Sequence, residues 1–290
     1  MKNILLNSNF AKHSKFDYDF VGNIENKEEW IMLVEQYENF LISLDKRVTN
    51  SFSIPKKIHQ IWLGNKKLPR KYYKWMKSWK NLNHDWEYKL WTEENIKDLG
   101  IKEFNVYSKE INPGFRSDIV RYIILKKFGG LYVDTDFECV KPIPNSLLNY
   151  KFVSCIIFGN KPMIANGMMM STPDYILIEN ILKTIKDKSY KNEIHKILNV
   201  SGPEKLTREY FLISKKIAKE ALILPSNYFY PYTNFMLNTK LDKYKEVKDV
   251  SIGIHHWEMS WIKGSITNRI KKKLMNYLYF IYDYFLSLNK

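Results

Sequence analysis

Residues 117–136 read Ser-Asp-Ile-Val-Arg-Tyr-Ile-Ile-Leu-Lys-Lys-Phe-Gly-Gly-Leu-Tyr-Val-Asp-Thr-Asp, and their change of period decides the fold. Through Lys127 the apolar residues recur at helical spacing, with Ser117 as the expected N-cap. Gly129-Gly130 stops that helix, because glycine takes the left-handed backbone that ends helices. Leu131-Tyr132-Val133 then reads as a buried strand that delivers Asp134-Thr135-Asp136 at its carboxyl end.

Working outward, Ile58-His59-Gln60-Ile61-Trp62-Leu63-Gly64 reads as a strand with Ile58, Gln60 and Trp62 on one face, and Gly64-Asn65 ends it. Residues 69–80 read as helix and Trp86–Trp91 as a second strand, with Thr92 capping a short helix. Downstream, Phe152–Phe158 and Ile164–Met170 read as strands, 174–187 and 204–220 as helices, and Asp249–Trp257 as a late strand. Upstream, Trp30, Leu33, Val34, Tyr37, Phe40, Leu41 and Leu44 mark an amphipathic helix within 24–48. Alternating strands and helices predict an α/β fold with a mostly parallel central sheet flanked by helices, and such sheets bind ligands beyond the carboxyl ends of their strands. The expected division is a helical N-terminal extension over 1–50, the main domain over 51–262 and a basic, aromatic helix over 263–290.

The chain has 290 residues, 45% of them hydrophobic, enough for a large core without a covalent staple. Cys139 and Cys155 alone do not make a disulfide framework, so both are expected to be reduced core thiols. Neither a secretory leader nor an apolar run of membrane-spanning length stands out, which predicts a cytoplasmic location. A net charge of +15 favours anionic partners such as nucleic acid, anionic lipid head groups or phosphorylated substrates. The lysines are scattered and no zinc-finger, RNP or KH pattern occurs, so nucleic acid is not the expected partner. In the tail, Lys263, Arg269, Lys271, Lys272 and Lys273 precede the aromatic run from Leu274 to Leu286, which suits either an anchor on an anionic membrane or a helix docked on protein.

Two carboxylates one residue apart on an extended backbone point the same way, so Asp134 and Asp136 can approach one hard cation, Mg²⁺ or Mn²⁺, while Thr135 faces elsewhere. Such an ion would bridge a nucleotide-sugar diphosphate and balance charge on the leaving group. By itself the motif is weak, and a pair of solvated turn aspartates would read the same. Asp118 and Arg121 add context, being i and i+3 on the preceding helix near its expected first turn, although a surface ion pair has the same spacing.

Taken together, Ile54-Pro55-Lys56-Lys57-Ile58-His59-Gln60-Ile61-Trp62-Leu63-Gly64, Ser117-Asp118-x-x-Arg121-Tyr122, Gly129-Gly130-Leu131-Tyr132-Val133-Asp134-Thr135-Asp136 and His255-His256-Trp257-Glu258-Met259-Ser260-Trp261 resemble the DXD-motif sugar transferases of the bacterial capsular-polysaccharide and yeast mannosyltransferase type. That resemblance implies a GT-A nucleotide-sugar-binding fold and a retaining, metal-dependent hexosyl transfer. Residue by residue, it implies that Trp62, with Ile61 beside it, meets the donor base, and that Asp118 and Arg121 hold sugar hydroxyls and diphosphate. Asp134 would reach ribose, sugar or the metal through water, and Asp136 would ligate the metal. One of His255 and His256, with Ser260 and Trp261, would close over the diphosphate. Related toxin-type glucosyltransferases place a Glu and a Ser there, which makes Glu258 a further metal candidate. Asn166, before Gly167, resembles an element near the donor sugar, and Ser201-Gly202-Pro203 one on the acceptor side.

The expectation is therefore a transferase taking a hexose from a nucleotide sugar, a UDP-sugar ahead of GDP-mannose, to a saccharide or lipid-linked saccharide of a bacterial capsule or surface polysaccharide. It would work in the cytoplasm or peripherally on the inner face of the plasma membrane. Two rivals stay open: a toxin-like transferase acting on protein, and a non-catalytic basic module binding nucleic acid or lipid.

Overall fold

The computed structural model describes residues 7–14, 27–44, 53–64, 66–101, 111–157, 162–185, 194–232 and 243–258. Its spine is a seven-stranded sheet made of β1 (Lys57–Trp62), β2 (Glu87–Thr92), β3 (Gly130–Val133), β5 (Phe152–Ile157), β6 (Met163–Ile164), β7 (Met168–Ser171) and β8 (Ala221–Leu224). The order is β2-β1-β3-β7-β5-β6, with β8 also paired to β5. A separate two-stranded ribbon joins β4 (Phe137–Cys139) to β9 (Gly253–His255). Helices α1 (Asn9–Lys12), α2 (Lys27–Leu44), α3 (Arg70–Leu82), α4 (Pro113–Phe128), α5 (Ile176–Thr184), α6 (Ile194–Val200) and α7 (Pro203–Ile217) flank these strands. The α/β class is thus as expected.

The parallel pairings are β1 with β2, β1 with β3 and β5 with β8, whereas β7 runs antiparallel to both β3 and β5. The reason is local. The Ile164–Met170 segment read as one strand is broken at Ala165-Asn166-Gly167, and the returning half, Met168-Met169-Met170-Ser171, slots between β3 and β5. Strands covered on both faces need no polar alternation, and β3, β7 and β8 are buried at every position.

Helix α4 begins four residues earlier than Ser117. Asn112 is its cap, its Oδ1 accepting the Gly114 amide at 2.8 Å, and Pro113 follows in the first turn, where a missing N–H costs nothing. Asp118 and Arg121 therefore lie one to two turns inside the helix, too deep for the helix dipole to be their main influence. The helix ends as read. Gly129 and Gly130 have φ of +60° and +92°, and a Cβ on Gly130 would stand 2.5 Å from the Lys57 carbonyl oxygen of β1. Close pairing of β3 with β1 depends on that missing carbon.

Helix α2 is more than a surface attachment. Trp30, Leu33, Val34, Tyr37 and Phe40 belong to the same continuous core as the strands, and the Tyr37 hydroxyl meets that of Tyr228 at 3.0 Å. Cys139 and Cys155 are buried and unpaired, with burial pushing both thiols up, Cys139 to about 12. None of the described helices is long and apolar enough to cross a membrane.

Candidate active site

At the carboxyl ends of β1 and β3 lies a cavity of about 390 Å³. Asp118, Arg121, Asp134, Asp136, Asn166 and His255 line one part of it, and Ile61, Trp62 and Gly64 another. Strand β3 delivers Asp134, but the next residues turn rather than extend, since the Phe137 amide bonds back to the Asp134 carbonyl at 3.1 Å. The turn still brings the carboxylates together. Asp134, Asp136 and His255 each present one ligand atom within 4.8 Å of the others, and Thr135 is buried against the same cavity rather than turned away from it.

Each carboxylate is held in a different way. Asp134 Oδ1 accepts the Tyr132 hydroxyl at 2.5 Å and lies 3.5 Å from Arg121 Nη2, while its backbone is fixed by Gly167 and by Gln60 Nε2. Burial pushes its carboxyl above the usual range, against the pull of Arg121. Asp136 Oδ1 stands 3.2 Å from His255 Nε2, and Oδ2 accepts the Glu258 amide at 2.9 Å. Burial raises Asp136 too, but His255 and that amide outweigh it and hold the carboxyl below its ordinary value.

Behind the pair, Asp118 and Arg121 form a buried knot. Asp118 accepts from Arg121 Nη2 at 3.0 Å, Asn166 Nδ2 at 3.0 Å and Ser201 Oγ at 2.8 Å, and burial still lifts its carboxyl. Arg121 also donates to the Asn166 carbonyl at 2.8 Å and lies over the Tyr132 ring at 4.6 Å. Burying two charges is costly unless every polar atom is paired, and here four segments of chain converge to pair them.

The two histidines separate because His255 is the last residue of β9 and His256 the next along the chain, and their side chains point to opposite sides. His255 faces Asp136, its ring stacked on Phe137 at 4.4 Å and its Nδ1 buried without a hydrogen-bond partner among the described residues. His256 points away from the aspartates, stacked on Trp75 at 4.0 Å with its nitrogens against Glu138 and Tyr232. This places His256 outside the Asp134–Asp136 cluster. The Glu258 carboxylate also turns outward, to Lys71 at 2.5 Å, so the residue meets the site only through its amide. Trp257 makes the reversal possible. Its φ of +56° is rare for a bulky side chain, and the turn sets its ring 4.3 Å from that of His255. Ser260, Trp261 and the tail lie outside the described residues.

Two hard carboxylate oxygens and one imidazole nitrogen suit Mn²⁺ or Mg²⁺, and His255 already aims a nitrogen into the gap, so the side chains present fit a divalent ion. Trp62 stands half-buried at the far part of the cavity with its indole N–H on the Lys66 carbonyl, leaving its ring beside Ile61 as a wall. Sequence reasoning missed Arg116, which lines the cavity and is gripped by both carboxylate oxygens of Glu93, at 2.8 and 2.7 Å. It also missed Gln60 as a clamp on Asp134. Their only trace was the i, i+5 spacing of Arg116 from Arg121 and the polar residue within an apolar strand.

Similarity to known proteins falls on part of the same region of the chain. Residues 69–153 match the family model described as a glycosyltransferase sugar-binding region containing the DXD motif. Inositol phosphoceramide mannosyltransferase 3 of Schizosaccharomyces pombe is 37% identical over 107 residues, covering 34% of this chain and 29% of that protein. An uncharacterised glycosyltransferase of Acanthamoeba polyphaga mimivirus is 26% identical over 51% of this chain and 61% of its own length. A mannosyl phosphorylinositol ceramide synthase of Saccharomyces cerevisiae is 29% identical over 52% of this chain and 40% of its own. The chain thus spans less than two thirds of the length of these relatives. Among solved structures, the PaToxG glycosyltransferase aligns with a TM-score of 0.43 and 18% identity over 65% of this chain and 80% of that one. The stretch of this chain that is similar to that sugar-binding region, residues 69–153, contains Asp134-Thr135-Asp136, an Asp-x-Asp of the kind the family description names.

Proposed function

We propose that the chain transfers a hexose from a nucleotide-sugar donor in a reaction that requires a divalent cation at Asp134, Asp136 and His255. The observation that carries the reading is the meeting of those three ligand atoms at one wall of a cavity whose other lining includes Trp62 and the Asp118–Arg121 knot. When bound, the cation supplies positive charge where the leaving diphosphate becomes more negative. Asp118 and Arg121 orient the donor from beneath, held rigid by Asn166 and Ser201, and Trp62 walls the base. The sugar C1–O bond to the diphosphate breaks, a bond from C1 to the acceptor oxygen forms on the same face, and the acceptor proton passes to the leaving phosphate. The cavity carboxylates Asp118, Asp134 and Asp136 are each tied to Arg121, Tyr132 or His255, which favours this front-face displacement over a carboxylate nucleophile.

The acceptor we favour is a lipid-borne head group or saccharide. Relatives named for inositol phosphoceramide support that class, and none of the relatives above is named for capsule synthesis. They also raise GDP-mannose to equal standing with UDP-sugars as the donor to test. The tail over 263–290 and attachment to the inner face of the plasma membrane belong to the same proposal. A thermal-shift panel of UDP- and GDP-sugars, with and without Mn²⁺, decides the core of it. One donor should stabilise the wild type only with metal, by about 2.7 kcal/mol at a hundredfold excess over its Kd, and Asp136→Asn should abolish the effect. No metal-dependent shift with any donor sinks the reading.

A further inference from the structure

Between Lys66 and Asn83 the sequence holds seven basic residues and no acidic one. Helix α3 sorts them by face. Tyr72, Trp75, Met76 and Trp79 are buried, whereas Arg70, Tyr73, Lys74 and Lys77 form one exposed stripe at i, i+3, i+4 and i+7. An ordinary solvated face intersperses both signs of charge; this one carries a single sign with an aromatic ring in its midst, Tyr73 being 54% exposed. The nearby acids are few and differently engaged: Glu258 pairs with Lys71, and Glu138, held by His256 and Tyr244, lies within electrostatic reach of Lys74. The stripe also adjoins the cavity, since Lys66, just ahead of the helix, lines it and accepts the Trp62 indole N–H on its carbonyl.

We propose that the exposed face of α3 docks on an anionic phospholipid bilayer, with Tyr73 entering the head-group layer and the basic residues on either side of it meeting phosphates. A stripe of one sign set around a single exposed ring suits the head-group layer of an anionic bilayer, where a ring sits at the interface and the flanking cations meet phosphates. Docking there would set the cavity beside the membrane surface, where a lipid-borne acceptor would present its head group. The surface is independent of the donor chemistry above and of the tail.

The test is co-sedimentation of the full chain with vesicles of phosphatidylcholine alone or with one third phosphatidylserine, at low and high salt. Wild type should partition to the anionic vesicles only and be released by salt. The triple variant Arg70→Gln/Lys74→Gln/Lys77→Gln should lose about 100-fold in partition coefficient, each basic residue near such a surface contributing on the order of 1 kcal/mol. Tyr73→Ala should weaken binding without changing its salt dependence. An unchanged melting temperature and unchanged metal-dependent donor binding in the variants would separate this result from misfolding and from failure of the transferase reading. Binding within threefold of wild type in the triple variant, equal binding to neutral vesicles, or displacement from vesicles by duplex DNA at equal phosphate concentration would each overturn the proposal.

Discussion

A single missing methyl group shapes the metal-side geometry. Gly167 follows Asn166 and reads in sequence as an ordinary turn glycine, yet its φ is not positive, so the backbone alone does not demand it. What demands it is crowding, because a Cβ there would lie 2.8 Å from Asp134 Oδ2 and 3.0 Å from the Tyr230 hydroxyl. Gly167→Ala should therefore displace the Asp134 carboxylate. We expect Mn²⁺-dependent donor binding to fall by at least tenfold while the melting temperature changes by only a few degrees, as scored by calorimetric titration beside thermal unfolding. Unchanged donor affinity would mean that Asp134 tolerates displacement and does not set the ligand geometry. The same scale shows the limits of sequence. The Asp-x-Asp spacing was legible at once, but the choice between His255 and His256 was not, because it depends on which face of a three-residue strand meets β4. Trp257 hid its role entirely, since a left-handed backbone at a tryptophan has no sequence signal.

Among elements, His59 ties three together. Its Nδ1 accepts the Trp91 indole N–H of β2 at 3.2 Å, and its Nε2 stands 3.1 Å from the Gly129 carbonyl where α4 passes into β3. An indole can only donate and a carbonyl only accept, so the ring must be neutral with its proton on Nε2. Burial, the largest influence, lowers its pKa to about 4 from an ordinary 6.5. Because the folded value lies below the unfolded one, the stabilisation is complete above pH 6.5 and is lost as pH falls toward 4, in all about 3 kcal/mol. Urea midpoints measured from pH 7.5 to 4.5 should fall more steeply for wild type than for His59→Gln, which keeps a donor near Gly129 but cannot be protonated. Parallel curves for the two proteins would show that His59 does not titrate as its burial requires. The elements themselves were readable where period and punctuation agreed, as at Gly129-Gly130. The start of α4 was misplaced because Ser117 competes with Asn112 as a cap, and only Pro113 in the first turn distinguishes them. Strands β4 and β8 were not read, three or four residues being too short for a period to declare itself.

For the molecule as a whole, the open matter is whether the first fifty residues are an addition to the domain or part of what holds it together. Their helix was visible in sequence, but its partner was not, because an amphipathic pattern gives a face and not the surface that covers it. In the fold, Trp30, Leu33, Val34, Tyr37 and Phe40 join the common core. Gln36 binds the Ala218 carbonyl and the Tyr210 hydroxyl, so α2 grips the segment around α7 and β8 by polar contacts as well. At roughly 1.5–3 kcal/mol for each large apolar side chain buried, those five residues contribute on the order of 10 kcal/mol as an upper bound. That equals the whole net stability of a typical domain, about 5–15 kcal/mol. A truncated chain beginning at residue 51 would also expose the apolar surface beneath α2. We expect such a chain to be insoluble or to lack a cooperative thermal transition, and the intact chain to lose α2 and the sheet in one transition followed by calorimetry and circular dichroism. A truncated protein that melts cooperatively within a few degrees of the full chain, and still binds donor with Mn²⁺, would show that α2 only rests on a domain able to fold without it.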